Sequence, residues 1–348
     1  MGEEASLGAP ANEFELIERL TAPSDMTVAA ARALKGDVVI LGAGGKMGTS
    51  LALLIHRSLA AAQAPYRVMC VSRFSDAGTA MTLGRAGVRT IACDLMNRKD
   101  LERLPDAPNV LYLVGSKFGA SSNPAYTWAI NTILPAAVAE RYRSSRIVAL
   151  STGNVYPFVS PDTGGATEDT PPDPVGEYAQ SCLGRERVLT YMSQTHATPM
   201  ALVRLNYASD LRYGVLVDLA QQLAAGNPVS VVMGYVNTSW QGDANRVLLQ
   251  AFDICSSPPS VLNLTGPDVV SVRATAGELA RVMGLPGPRF DGVEGPTALL
   301  SNATRCWTLF GSPSVTTAML TEWTGQWVAS GGPTIGKPTH FEVRNGQF

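Results

Sequence analysis

Gly42, Gly45 and Gly48 recur at intervals of three in Gly42-Ala43-Gly44-Gly45-Lys46-Met47-Gly48. That spacing suits a backbone wrapped around phosphate. The first glycine permits a tight turn. The second lets the main chain approach a pyrophosphate, and the third lets a helix pack closely on a strand. The helix start adds N–H groups and the positive end of its dipole. Lys46 and Met47 belong to the same cradle, and a dinucleotide is the ligand it predicts. Further on, Val71-Ser72-Arg73 is followed by Asp76. At this place a carboxylate would serve the ribose 2′-hydroxyl of NAD, and a cation the 2′-phosphate of NADP. Arg73 offers a fork matched to phosphate and Ser72 a further donor, so the reading is NADP over NAD. Were Arg73 merely solvated, Asp76 would serve NAD instead.

These residues need a scaffold, and the flanking pattern supplies one. Val38 to Leu41 is a short β-branched run that ends at the glycines, and Thr49 to Ala62 reads as a helix. Strand patterns recur at Arg67–Ser72, Thr90–Cys93, Val110–Val114, Arg146–Leu150 and Ala201–Leu205. Helical patterns cover Tyr126–Tyr142 and Tyr178–Gln194. Buried runs alternating with helices predict an α/β fold, a Rossmann-type doubly wound parallel sheet. A helical N-terminal extension over 1–36 precedes the dinucleotide domain over 37–205. A later segment near 230–255 returns to that domain. The rest of 206–348 forms a smaller C-terminal substrate lobe and tail.

Composition excludes other classes. The 348 residues carry 27 Lys and Arg against 29 Asp and Glu, with no basic stripe, so nucleic acid is not an expected partner. No apolar run approaches the roughly 20 residues of a membrane span, and the acidic start is not a secretory signal. Met1-Gly2-x-x-x-Ser6 matches a loose lipidation pattern that the two acidic residues within it disfavour. Cys70, Cys93, Cys182, Cys255 and Cys306 form no C-x-x-C pair, and three histidines give no metal spacing. Scattered thiols fit a reducing cytoplasm, and no metal is expected.

Several motifs in order resemble the extended short-chain dehydrogenase/reductase superfamily, specifically its NAD-dependent epimerase/dehydratase group. They are the glycine triplet, Asp94-Leu95 after the third strand, and Asn131 in the helix after the fourth. Ser151-Thr152-Gly153-Asn154-Val155-Tyr156 follows the fifth strand. The stretch from Glu168 leads to Tyr178, and Arg204-Leu205-Asn206 is a shortened form of the strand-six motif. The resemblance implies a Rossmann domain with a smaller lobe, and hydride chemistry on sugars or sugar-like alcohols. It implies Tyr178 as acid/base and ribose contact, Thr152 as partner of the substrate oxygen, and Asp94, Leu95 and Asn131 as cofactor residues. It also implies a homodimer through the helices at Tyr126–Tyr142 and Tyr178–Gln194.

The family's Tyr-x-x-x-Lys reads Tyr178-Ala179-Gln180-Ser181-Cys182 here. A free tyrosine has a pKa of about 10, and the lysine one turn away normally lowers it. A neutral thiol cannot do so by charge. Three readings remain open. Lys117, in Val114-Gly115-Ser116-Lys117-Phe118, stands where parallel strands bind ligands and is the candidate replacement cation. Alternatively, the positive nicotinamide ring and Thr152 suffice. Or the chain is a non-catalytic NADP-binding sensor. Arg185 shares the face of Tyr178 but lies two turns away. Cys182, inside a helix, is expected to be an inert packing residue. Val114 and Gly115 are candidate cofactor contacts. Asn154, Asn206, Arg212, Tyr213, Trp240 and Gln241 are candidate substrate contacts, and Asp243 a helix cap. The substrate expected is a small sugar-like molecule.

Overall fold

The computed structural model describes residues 8–117 and 119–347. The lipidation pattern at Met1-Gly2-x-x-x-Ser6 lies outside the described residues, as does Phe118. Seven parallel strands form the central sheet: β1 (Val38–Leu41), β2 (Val68–Ser72), β3 (Arg89–Ala92), β4 (Asn109–Tyr112), β5 (Arg146–Thr152), β6 (Met200–Leu205) and β7 (Ser260–Leu264). Their order is β7-β6-β5-β4-β1-β2-β3. The order reverses beside β1, and such a switch point opens a crevice at the carboxyl ends of the strands.

The central strands, such as β1 and β6, read as near-continuous apolar runs because helices cover both faces of the sheet, whereas the edge strand β3 is only half-buried. Successive residues point to opposite faces. Val38 and Ile40 therefore join one core with Leu51, Ile55, Val203 and Val247. Val39 and Leu41 join the other with Val110, Tyr112, Val138 and Leu202. Helix α1 (Glu13–Thr21) and helix α2 (Asp25–Ala33) form the N-terminal extension. They pack on α3 (Gly48–Ala61), where Arg57 grips Glu18 at 2.6 Å. Ser24 and Thr27 close a capping box that starts α2.

The expected helix after β4 spans 124–141, and its middle, Ala129–Ile133, winds as a π turn. The long helix α4 (Gly176–His196) carries Tyr178. After β6 the chain builds the smaller lobe around α5 (Val215–Ala224). It returns to the sheet through α6 (Gln241–Gln250) and β7. That return runs past the segment expected near 230–255, because the Ser260–Leu264 run pairs with β6 over five residues. Helix α7 (Thr317–Ala329) packs against the lobe. The tail after it is anchored by buried Phe341 and by Arg344, which donates to the Thr297 carbonyl at 2.6 Å. No helix among the described residues is long and apolar enough to cross a membrane.

Candidate active site

The glycine loop connects β1 to α3. Gly42 has φ +89°, and a Cβ there would stand 3.0 Å from Val114 Cγ2. A Cβ on Gly48 would come within 2.6 Å of the Ala43 Cα, so only glycine lets the helix start against the turn. Met47 precedes α3 with no side-chain cap, and the first turn holds no acidic residue. Gly48 N donates to the Gly45 carbonyl at 3.1 Å, no side chain caps the N–H groups that follow it, and the cradle fits a dinucleotide pyrophosphate.

Two cavities meet at this loop, sharing Gly42 and Gly45. The first, about 440 Å³, is bordered by Ser72, Arg73, Asp94, Leu95, Val114 and Gly115. Arg73 is exposed at its rim. Asp76 also reaches this cavity, but its carboxylate caps the helix Ala77–Arg85, accepting from Gly78 N at 3.0 Å and Thr79 N at 3.3 Å. Those bonds hold its carboxyl below the usual range.

The second cavity, about 290 Å³, brings together Lys46, Met47, Gly48, Lys117, Thr152, Asn154 and Tyr178 from one side. Asn206, Tyr213 and Gln241 enter from the lobe side. Tyr178 and Thr152 line this cavity together, and the Cys182 thiol one turn along α4 is close enough to act on the phenol. Thr152 donates to Asn154 Oδ1 at 3.0 Å. Burial pushes the Tyr178 phenol well above its ordinary pKa, and Cys182 adds to the rise. The charge of Arg185 opposes it, but burial dominates. The Cys182 thiol is itself fully buried and pushed up by burial, as expected of an inert residue.

Lys117 Nζ lies 5.9 Å from the centroid of the Tyr178 ring and donates to the Thr339 carbonyl at 3.1 Å. Burial lowers its pKa to about 8. A second cation stands behind the tyrosine. Arg185 is buried, donates to the Leu150 carbonyl at 2.9 Å and to Asn131 Oδ1 at 2.5 Å. Its spacing of seven from Tyr178 was the available signal. Its charge acts on Tyr178 from there, while its hydrogen bonds go to Leu150 and Asn131. Thr339, from the tail, borders the same cavity, and nothing in its sequence context announces that.

Three predicted contacts lie elsewhere. Trp240 is 3% exposed and packs edge-on against Trp323 at 5.8 Å, beside Leu16 and Leu20. It seals the N-terminal extension to α7 and borders neither cavity, while the next residue, Gln241, points inward and bonds Ser50 Oγ at 3.0 Å. Arg212 is spent on Asp210 at 2.7 Å and Glu13 at 3.0 Å, which ties the turn after β6 to α1. Asn131 is buried behind the loop after β4. It accepts from Ser116 N at 3.0 Å and donates to Ser116 O at 3.1 Å, so it positions that loop rather than lining a cavity. Asp243 does not cap its own helix. It accepts from Ser314 N at 2.9 Å and Val315 N at 3.3 Å, fixing a distant segment.

The open parallel sheet, its switch point and the glycine cradle define a dinucleotide-binding protein of the Rossmann class. The family model described as the NAD dependent epimerase/dehydratase family matches residues 38–256, and the chain belongs to that family. It is thereby an NAD-dependent enzyme of the epimerase/dehydratase kind. Among solved structures it is similar to a UDP-glucose 4-epimerase from Thermotoga maritima, with 16% identity and a TM-score of 0.69 over 85% of this chain and 99% of that one. A UDP-glucuronic acid 4-epimerase from Bacillus cereus gives 15% and 0.69 over 84% and 99%. A dTDP-glucose 4,6-dehydratase from Streptomyces venezuelae gives 17% and 0.69 over 83% and 96%. No curated protein sequence matches.

Proposed function

We propose that the protein is an NADP-dependent oxidoreductase or epimerase acting on a carbinol or carbonyl of a sugar-like small molecule. The observation that carries this is the convergence of Thr152, Tyr178 and Lys117 on a cavity that opens onto the glycine loop. A bound dinucleotide would supply the hydride chemistry. Gly42, Gly45 and Gly48 would admit its pyrophosphate, and Asp94 and Leu95 would border its adenine. Thr152 would orient the substrate oxygen and Tyr178 would hold or give the proton. A phenol kept neutral by burial suits proton donation to an alkoxide-like oxygen, with Arg185 and Lys117 balancing the charge left on it.

The test is a fluorescence titration of the protein with NADPH and NADH, followed by turnover on a panel of sugars and sugar acids. Tight binding with turnover supports the reading. Tight binding without turnover on any member favours a sensor of the same fold, a possibility raised by the neutral Cys182 where a cation would act. The preference for NADP rests on Arg73, because Asp76 is engaged as a cap. Arg73→Ser should weaken NADPH about ten-fold or more and leave NADH unchanged, the effect expected of one lost charge-assisted pair. Equal binding of the two cofactors by the unaltered protein would refute the preference.

Lys117 gives a pH signature. Its ammonium is present below about 8 and lost above it. If that charge supports Tyr178, kcat/KM should fall as pH rises through about 8, and Lys117→Met should lower the plateau and erase that limb. An unchanged profile would remove Lys117 from the site. The reading also includes a homodimer, supported by Ile133 and Tyr191, which are 64% and 67% exposed on the helices expected to meet. Sedimentation equilibrium checks it. The five unpaired thiols support a cytoplasmic setting.

A further inference from the structure

The backbone of Lys46 belongs to the phosphate cradle, but its side chain leaves it. Lys46 borders the second cavity and not the first, with Nζ 3.2 Å from the centroid of the Tyr213 ring. Tyr213 stands at the start of the substrate lobe, so the ammonium is aimed across the reacting pocket. Lys117 enters that pocket from the β4 side, its tip held by the Thr339 carbonyl. Asp218 fastens the tail by accepting from Thr339 N at 2.8 Å and Thr339 Oγ1 at 2.5 Å. Burial first, then the charges of Lys117 and Lys337, push Lys46 down to about 7, while Asp218 pulls it up and Glu342 with Asp218 do the same to Lys117. Like charges gathered in a part-buried pocket are costly. An anionic ligand removes that cost and gains charge-assisted hydrogen bonds.

We propose that the reacting pocket recognises a substrate bearing an anionic group, a carboxylate or phosphate on a sugar-like skeleton, with Lys46 as its principal partner and Lys117 beside it. This rests on the reading of the second cavity as the substrate site. The glycine loop thus serves two ligands. Its N–H groups face the dinucleotide, and the Lys46 ammonium faces the substrate.

The anion could instead come from the dinucleotide, so the test uses protein already saturated with its cofactor. Inorganic phosphate, galacturonate, galactose 6-phosphate and galactose are titrated by calorimetry at constant ionic strength. The anionic probes should bind at least ten-fold tighter than galactose. Lys46→Met should erase that preference and leave cofactor affinity within about two-fold, and Lys46→Arg should restore it. Absence of anion binding to the loaded protein overturns the proposal. So does a Lys46→Met variant that keeps the preference, or one that loses cofactor affinity instead, which assigns the ammonium to the cofactor phosphates. Failure of the cofactor itself to bind is a separate result and removes the functional reading first.

Discussion

Tyr178→Phe should lower kcat by about a hundred- to ten-thousand-fold while leaving dinucleotide affinity and unfolding midpoint close to those of the unaltered protein. That range is the contribution typical of a positioned acid or base. The substitution removes one oxygen and keeps the ring. The packing around it, the Lys117 ammonium 5.9 Å from its centroid and the Arg185 side chain behind it all remain. What is lost is the hydroxyl, in the cavity that Tyr178 shares with Thr152. Single-turnover absorbance at the reduced-nicotinamide band measures the effect directly. A kcat within about three-fold of the original would show that the proton moves by another route and that Tyr178 is a packing residue.

The largest loss of stability is expected from Glu186→Ala. Glu186 on α4 and Arg204 on β6 are 5% and 6% exposed and meet at 2.7 Å. Ser151 Oγ donates to Glu186 at 2.6 Å, and Arg204 Nη1 donates to Tyr156 Oη at 2.7 Å. Tyr156 passes the chain on to Asn263 Oδ1 on β7 at 2.8 Å. Deleting the carboxylate strands a guanidinium inside the protein, which costs about 3–5 kcal/mol. A double replacement, Glu186→Leu with Arg204→Met, should recover most of that loss, since burying the pair was itself expensive. Chemical denaturation measures both. A cost below about 1 kcal/mol for the single change would mean that water reaches the pair.

The sheet was legible because its central strands are buried on both faces. Runs such as Val38–Leu41 and Met200–Leu205 stand out where the chain has no wet face to alternate with. The glycine cradle was legible because backbone geometry leaves one residue type possible at Gly48. The substrate side was harder. Trp240 and Gln241 are neighbours in sequence, and no composition rule says which one turns inward. Arg212 was read as a ligand contact because a polar loop residue looks the same whether it meets a substrate or Glu13. Thr339 reaches the pocket from a remote tail, and such long-range packing leaves no local pattern.

The π turn at Ala129–Ile133 carries one face of the helix across an extra residue. A regular helix advances about 100° per residue, and a π turn accommodates one residue more than that winding allows. Tyr126, Ile130 and Leu134 border the first cavity, while Leu134 and Val138 fill the core under the sheet. Removing one residue from the turn would rotate everything after it by that angle. Either the cavity wall or the core would then face water. The wide turn therefore works as a built-in insertion across which one side of the helix runs from cavity wall into core.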